Sequence, residues 1–278
     1  MNKFQPFLNF FGSFKNGAQR FVRYGRCIVA TLLAVVMFIT MIPFSGSTVS
    51  AADAIVYSTW ERAVIRAEFG VDYNYDGEMC TIHTAIGLAW FAQQVNKGYN
   101  DFAGKKVILT KDIDLNGVVF GYENFEDVNT QNSWKSIGTT NHPFRGTFNG
   151  NGCIINGVKS SMSPTPENCY FGLFGLISDS AVIENVRVTN TQITVFEPSY
   201  VGTVVGENNG IVRNSFGFGT LKVFENSDTN FRVGGLCGQN DGTIQNSCAE
   251  TEYIVPDGAL FAVGGIAGTN NGTVENSY

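Results

Sequence analysis

Four stretches of this chain can be written beneath one another: YFGLFGLISDSAVIENV from Tyr170 to Val186, VGTVVGENNGIVRNS from Val201 to Ser215, VGGLCGQNDGTIQNS from Val233 to Ser247 and VGGIAGTNNGTVENS from Val263 to Ser277. Gly175, Gly206, Gly238 and Gly268 fall in one column, 31, 32 and 30 residues apart, and Asn185, Asn214, Asn246 and Asn276 keep nearly the same spacing. Within a unit, Val-Gly-Gly-Leu-x-Gly is short and apolar, with glycines where another backbone can approach closely. Asn-Asn-Gly or Asn-Asp-Gly follows, a pair that supplies the positive φ of a tight turn. Thr-Val-x-Asn-Ser then alternates apolar and polar residues, as a half-buried strand does. A third extended stretch, such as Leu221-Lys222-Val223-Phe224 or Tyr253-Ile254-Val255, precedes the next unit.

Three short strands and their turns in about 30 residues describe one coil of a β-solenoid, whereas a propeller blade needs four strands in about 40–50. One coil cannot bury its inward face alone, so stacked coils share a continuous core of Val, Ile, Leu and Phe. The recurring asparagines are then either rungs of side-chain ladders between coils or turn residues bonding their own backbone. The expected fold class is all-β, a parallel β-helix.

Upstream, Thr84 caps a predicted helix from Ala85 to about Asn96. Leu88, Phe91, Ala92 and Val95 lie on one face, and Gly98 is its stop. Such a helix would cover the end of the solenoid core, with Trp90 as a cap aromatic. Residues 106–110, 112–115, 134–138 and 144–152 read as further strands. The expected organisation is therefore 1–51 a signal peptide, 52–80 a leader with little structure of its own, 81–169 an N-terminal cap and first coils, and 170–278 the four repeats. The last repeat breaks off at Tyr278, so the chain is expected to be part of a longer protein.

The first 51 residues hold Lys3, Lys15, Arg20, Arg23 and Arg26 and no acidic side chain; an apolar run from Cys27 to Ile42 and small residues up to Ala52 follow. That order makes a cleaved secretory signal, and the run is shorter than the roughly 20 residues a membrane span needs. Removing those five cations takes the formal charge from −6 to −11, with 24 acidic against 13 basic side chains. Such a surface repels nucleic acid and anionic lipid. With 15% charged and 13% aromatic residues and only 7 prolines, the composition is that of a folded chain.

The five cysteines beyond the signal, Cys80, Cys153, Cys169, Cys237 and Cys248, cannot all pair within the chain, and no Cys-x-x-Cys suggests zinc. They read best as small buried apolar residues. Cys237 and Cys248 share a repeat and are close enough in sequence to meet.

For chemistry, Asp112 and Asp114 alternate onto one strand face, as an acid–base pair or calcium ligands would, or as solvated strand residues. His83 and His142 are the two histidines; neither a His-Glu-x-x-His helix nor a Gly-x-Ser-x-Gly elbow is present. Asp72-Tyr73-Asn74-Tyr75-Asp76-Gly77 matches the first half of a calcium loop, so Asp72, Asn74 and Asp76 are the calcium candidates. The twelfth position, where a bidentate Glu belongs, is His83, and a polar turn is the alternative. Phe196, Tyr200, Phe216, Phe218, Phe224, Phe231, Tyr253 and Phe261 either stack on sugars or partners or fill the core.

Gly172-Leu173-Phe174-Gly175, Gly235-Leu236-Cys237-Gly238 and Gly265-Ile266-Ala267-Gly268 resemble the GLUG motif of bacterial surface proteins, with Thr203-Val204-Val205-Gly206 departing at its first position. The segment from Phe144 to Gly152 resembles the Gly-Thr-Phe-Asp-Gly-Asn-Gly run that precedes such repeats, with Asn149 in place of Asp. GLUG repeats occur in adhesin-like proteins and in non-catalytic regions of bacterial immunoglobulin A metallopeptidases. The resemblance implies a right-handed parallel β-helix, and the long basic start resembles the signals of Gram-positive surface proteins. The function expected is a secreted or cell-surface adhesion scaffold that presents one face to an extracellular glycan or protein, without a cofactor and without catalysis. The alternatives are a carbohydrate-active lyase or hydrolase of the same fold, and a structural spacer.

Overall fold

The computed structural model describes residues 67–116, 133–161, 169–197, 199–224, 231–255 and 262–278. The signal-like segment 1–51, the leader up to residue 66 and Phe261 lie outside them. The described chain opens with a hairpin: β1 (Tyr73–Tyr75) and β2 (Met79–Ile82) pair antiparallel, with Tyr75 opposite Cys80. The turn is made by the Asp76 carboxylate, which accepts the Glu78 and Met79 amides at 2.9 and 2.7 Å, and by Gly77 at φ +99°. Segment 52–80 was expected to carry little structure, but its end is ordered. The reason is packing the sequence pattern does not show: the Tyr73 ring stacks on Trp90 at 3.7 Å between centroids.

The helix forms where its pattern predicts. In α1 (Ala85–Asn96) the Thr84 hydroxyl caps the first turn by accepting the Gly87 amide at 3.1 Å, and Gly98 leaves the last turn at φ +68°. Leu88, Phe91, Ala92 and Val95 are buried, and the Phe91 ring meets those of Phe102, Phe144 and Phe148 at 4.9, 5.6 and 5.8 Å. The helix thus lies over a phenylalanine cluster at the N-terminal end of the stack.

The opening coils contribute β3 (Lys106–Leu109), β4 (Ile113–Asp114), β5 (Thr147–Asn149), β6 (Ile154–Asn156) and β7 (Lys159–Ser161). The first repeat forms β8 (Tyr170–Phe171), β9 (Phe174–Ile177), β10 (Val182–Glu184) and β11 (Arg187–Val195), and the second β12 (Tyr200–Val201), β13 (Val205–Asn208), β14 (Ile211–Arg213) and β15 (Phe216–Val223). The third forms β16 (Arg232–Gly234), β17 (Cys237–Asn240), β18 (Thr243–Gln245) and β19 (Cys248–Ile254), and the fourth β20 (Ala262–Gly264), β21 (Ala267–Asn270) and β22 (Thr273–Glu275). Equivalent strands of successive repeats pair in parallel, giving sheets in the orders β8-β12-β16-β20, β9-β13-β17-β21 and β10-β14-β18-β22, while β11, β15 and β19 form the long wall. The last two sheets extend back to the opening coils: β10 joins β5, β3 and β2, and β11 joins β6 and β7. This is the parallel β-solenoid that the spacing predicts.

Three details differ from expectation. Each full repeat has four strands, not three, because Val-Gly-Gly-Leu-x-Gly is two strands with a sharp bend at its centre. At that bend in the third repeat a Cβ on Gly235 would strike the Gly265 carbonyl and the Ala249 side chain, so glycine is required there. Leu173, Val204 and Leu236 follow the bend and are fully buried. Second, Trp134 to Gly138 is no regular strand; it makes one bridge, Ile137 to Phe174, and is held by Trp134 Nε1 donating to the Leu173 carbonyl at 3.0 Å.

Third, the positive φ belongs to the Asn at the following corner, before Val186 or before Ser in the later repeats, rather than to Asn-Asn-Gly. Asn185, Asn214, Asn246 and Asn276 take φ +54, +50, +50 and +49°, whereas Gly210, Gly242 and Gly272 do not enter the left-handed region and serve close approach between coils. Asparagine tolerates αL by bonding locally. These same side chains also bond between coils: Asn214 Nδ2 donates to Asn185 Oδ1 and Asn276 Nδ2 to Asn246 Oδ1, each at 3.3 Å. Turn and ladder are one device. A second, interior ladder runs through the first Asn of Asn-x-Gly: Asn208 Nδ2 donates to Asn240 Oδ1 at 2.6 Å, and Asn240 Nδ2 to Asn270 Oδ1 at 2.7 Å. The serines that follow the corner stack likewise, the Ser215 and Ser247 amides donating to Ser247 and Ser277 Oγ at 3.1 and 3.2 Å.

The five described cysteines are free. Cys237 and Cys248, close in sequence, sit in β17 and β19 of different sheets and do not pair.

Candidate functional site

In a parallel wall of extended strands, alternate residues face outward, and equivalent residues of successive coils form rows about 4.8 Å apart. On the long wall, the outward rows read Gln192, Thr220 and Glu252, then Thr194, Lys222 and Ile254. Phe218 stands opposite Glu250. Just past the strand ends, Phe196 and Phe224 stack at 5.1 Å with planes 4° apart, and Lys222 Nζ lies 4.3 Å above the Phe224 ring. Phe196, Phe218 and Phe224 are 40, 42 and 40% exposed, and among the described residues from 133 onward no other phenylalanine is. The structure thus sorts the recurrent aromatics. Phe231 is core, Phe216 and Tyr253 are half-buried, and Tyr200 stacks between Tyr170 and Arg232 at 5.0 and 4.7 Å.

The wall is interrupted where β11 has one residue more than β15. Between Val188 and Thr191 the register slips, and Asn190 absorbs the extra residue at φ +52°. A bulge of this kind re-aims side chains and bends the strand. Beside it lies a groove of about 320 Å³ lined by Asn190, Gln192, Phe218, Thr220, Glu250 and Glu252, with Thr191, Gly219 and Thr251 also contributing. The Thr220 hydroxyl donates to Glu252 Oε2 at 3.1 Å. The Thr191 hydroxyl is buried and bonds to no protein group.

A second hollow, about 420 Å³, lies at the helix end between Tyr99, Asp101, His142 and Arg145. Its single carboxylate faces Arg145 Nε at 3.5 Å, and the His142 ring packs over Gly98.

Each residue singled out for chemistry has partners within the protein. Asp72 Oδ2 accepts the Glu68 amide at 2.8 Å and Oδ1 the Thr84 hydroxyl at 2.5 Å; Asn74 bonds His83 Nε2 at 2.9 Å; Asp76 holds the hairpin turn. The Met79 and Glu78 amides lower the Asp76 pKa. His83 Nδ1 in turn bonds the Thr110 hydroxyl at 2.7 Å, so the twelfth position of the calcium-like pattern ties the hairpin to the next coil. Among the described residues no three of His, Cys, Asp and Glu gather as a metal site would. Asp112 accepts the Ile154 amide at 2.8 Å. Asp114 accepts the Asn116 amide, the Asn116 side chain and the Asn156 side chain at 3.0, 2.9 and 3.1 Å, and these donors lower its pKa. Of the motif glycines, Gly172 and Gly235 lie at the bends and Gly175, Gly206, Gly238 and Gly268 within β9, β13, β17 and β21; at all six a Cβ would strike backbone of a neighbouring strand or coil, whereas Gly265 has open space there.

No protein-family profile matches this chain. It is 36% identical over 134 residues to a protein assigned as a Gly-rich membrane protein in Evansella cellulosilytica, covering 48% of this chain and 14% of that one. It is 30% identical over 116 residues to halomucin of Haloquadratum walsbyi, covering 39% of this chain and 1% of halomucin. The chain therefore spans a small part of the length of these relatives. A crystal structure assigned as an immunoglobulin A1 protease from Bacteroides ovatus aligns with 73% of this chain and 76% of its own, at a TM-score of 0.40 and 18% identity. Among the described residues no helix is long and apolar enough to cross a membrane.

The wall was only half legible. The alternation in Phe216-Gly217-Phe218-Gly219-Thr220-Leu221-Lys222-Val223 signals which side chains face outward. The groove was missed because it depends on a one-residue difference between repeats. That difference shows only when the asparagine column and the apolar strand ends are aligned together: ten residues separate Asn185 from Val195, and nine separate Asn214 from Val223.

Proposed function

We propose that this chain is a binding scaffold within a larger extracellular surface protein, and that the long wall formed by β11, β15 and β19 is its contact face. The observation that carries the reading is the clustering of Phe196, Phe218 and Phe224, all exposed, on that one wall. An exposed apolar patch rimmed by polar groups marks an interaction site more often than accident. The rim is present in Lys222, Gln192, Glu250 and Glu252. The names of the relatives, a membrane protein and a halomucin, are consistent with display at a cell surface. The excess of acidic side chains favours partners that are neutral or basic. In this reading the wall binds and does not catalyse, and it needs no bound metal.

The test is a glycan and extracellular-matrix protein array probed with the purified chain and with a Phe196→Ala/Phe224→Ala variant. Saturable binding by the parent that the variant loses supports the wall as contact face. Binding that the variant keeps moves the site elsewhere. Silence from folded protein supports the structural-spacer reading instead.

A further inference from the structure

We infer that the hollow at the end of α1 binds a neutral hexopyranose unit of a glycan, at a site separate from the long wall. One side of the hollow is the chain directly after the helix, and the other is the segment ahead of β5; no residue of β11, β15 or β19 lines it. The inference therefore does not depend on the wall being a contact face.

The site is shaped by a glycine. Gly98 ends the helix at φ +68°, and a Cβ there would lie 2.5 Å from His142 Cε1 and 2.7 Å from Nδ1, so the imidazole rests directly on the backbone. Any side chain at this position would be strained by its conformation and would displace the ring. The turn bearing His142 is fixed as well: its amide donates to Thr139 Oγ1 at 3.2 Å, and its carbonyl accepts the Thr139 amide at 3.0 Å. On the other side, Asp101 Oδ1 accepts the Ala103 amide at 3.0 Å. The two sides are joined where the Arg145 amide donates to the Asp101 carbonyl at 3.0 Å and Arg145 Nε faces Asp101 Oδ2 at 3.5 Å. The polar groups are thus held in place before a ligand arrives, which lowers the ordering cost of binding.

Those groups are held but not satisfied. Among the described residues the Tyr99 hydroxyl, the Asn141 amide and both ring nitrogens of His142 make no hydrogen bond, and the Arg145 side chain makes its one contact through Nε. In the repeats, by contrast, planar amides pair with one another, Asn208 with Asn240 and Asn214 with Asn185. Tyr99 is 71% exposed and adds an aromatic face.

This combination selects a ligand class. A sugar hydroxyl both donates and accepts, so neighbouring hydroxyls can pair with an amide, or with a carboxylate beside a guanidinium, while the C–H face of the ring packs on an aromatic. A phosphate would meet a guanidinium that already faces a carboxylate. A calcium ion takes roughly six to eight oxygens, and the hollow offers one carboxylate. An apolar ligand would find Pro143 as the one aliphatic side chain. The volume of about 420 Å³ lies within the roughly 300–1,000 Å³ of ligand sites.

The experiment is calorimetric titration of the full chain with neutral oligosaccharides of glucose, galactose and mannose, with a galacturonate oligomer and inorganic phosphate as charged controls. At least one neutral oligosaccharide is expected to bind saturably, about tenfold or more tightly than either control. Tyr99→Ala and Asn141→Ala should each weaken that binding, the first about tenfold or more, with the unfolding midpoint unchanged because both side chains are exposed. His83 and His142 are the two histidines of the chain, so their imidazole resonances are readily told apart with a His142→Gln variant. On titration the His142 signals should shift and those of His83 should not. Absence of binding by all three neutral sugars, equal binding of a control, full affinity in both variants, or an unmoved His142 signal overturns the inference. Sugar binding that is lost in Phe196→Ala/Phe224→Ala and kept in Tyr99→Ala would also overturn it while upholding the wall, so the two readings fail separately.

Discussion

Thr203 occupies the space that Gly217 leaves empty. A Cβ on Gly217 would overlap Thr203 Oγ1, and that hydroxyl donates to the Gly235 carbonyl of the next coil at 2.5 Å. The coils on either side reverse the arrangement: Gly172 stands where Thr203 does and Val188 pairs with Gly217, while Gly235 stands there opposite Ala249. The one departure from glycine at the first position of the pattern is thus matched by a glycine in the strand it faces.

Gly217→Ala is therefore expected to destabilise the fold by about 1–3 kcal/mol through overpacking. Thr203→Gly loses a hydrogen bond and leaves a void. The double variant restores the neighbours' arrangement and should be more stable than the sum of the single effects predicts. Denaturant midpoints of the four proteins measure the coupling. Strict additivity would show that the two residues do not share one space.

The interior asparagine ladder is a second place where one residue's chemistry decides. Asn240 is fully buried, accepts from Asn208, and donates to Asn270 Oδ1 and the Thr273 carbonyl at 2.7 and 3.2 Å. Asn240→Ala should cost about 1–3 kcal/mol for each polar group it orphans. Asn240→Asp should cost more at neutral pH. A carboxylate has no proton to donate to either acceptor and is buried with a charge. Because burial raises a carboxyl pKa, the excess cost of Asp should shrink as pH falls toward and below about 3.9, the unfolded value. Equal stability of the Ala and Asp variants at neutral pH would count against the ladder's donor role.

How much of this was legible follows from what repeats and what does not. Coil length, the parallel stack and the capping helix rest on patterns several residues long, such as the glycine column from Gly175 to Gly268 and the apolar face of Leu88, Phe91 and Val95. Features set by single dihedrals were misplaced. The left-handed residue is Asn214 rather than Gly210, because the Asn-Gly pair here lies in a close backbone approach. Strands of two residues, β8 and β12, carry no periodicity to read. The calcium-like pattern of Asp72, Asn74 and Asp76 matched in spacing, but hairpin pairing assigns each side chain its own partner, which spacing alone does not encode.

The thiols should divide by burial. Cys80 and Cys237 are buried, and loss of solvation pushes the Cys80 thiol up to about 12 and raises that of Cys237 as well. A thiol held protonated and inaccessible does not alkylate. Iodoacetamide at mildly alkaline pH, read by peptide mass, should leave both unmodified in the folded chain and modify them in denaturant. Rapid labelling of Cys237 under native conditions would mean that the third coil opens readily.

Glu207 gives the stack a pH dependence of definite sign. It faces outward on β13, half-buried, with Asn209 Nδ2 donating to its Oε1 at 3.2 Å. Burial raises its pKa above the ordinary 4.5 and the charge of Asp241 adds to the rise, while the Asn209 bond and Arg232 oppose it. A carboxyl whose folded pKa is raised favours the folded state while both states hold the proton. That contribution is complete below the unfolded value of 4.5 and is lost as pH climbs through the higher folded value. Glu207→Gln keeps the size and an acceptor without the charge. Its stability relative to the parent should rise with pH from the unfolded value of 4.5 and level off above the folded pKa. Unfolding midpoints of the two proteins across acid to neutral pH test this. A difference that stays flat, or that favours the parent at neutral pH, would show that Asn209 and Arg232 outweigh burial at this position.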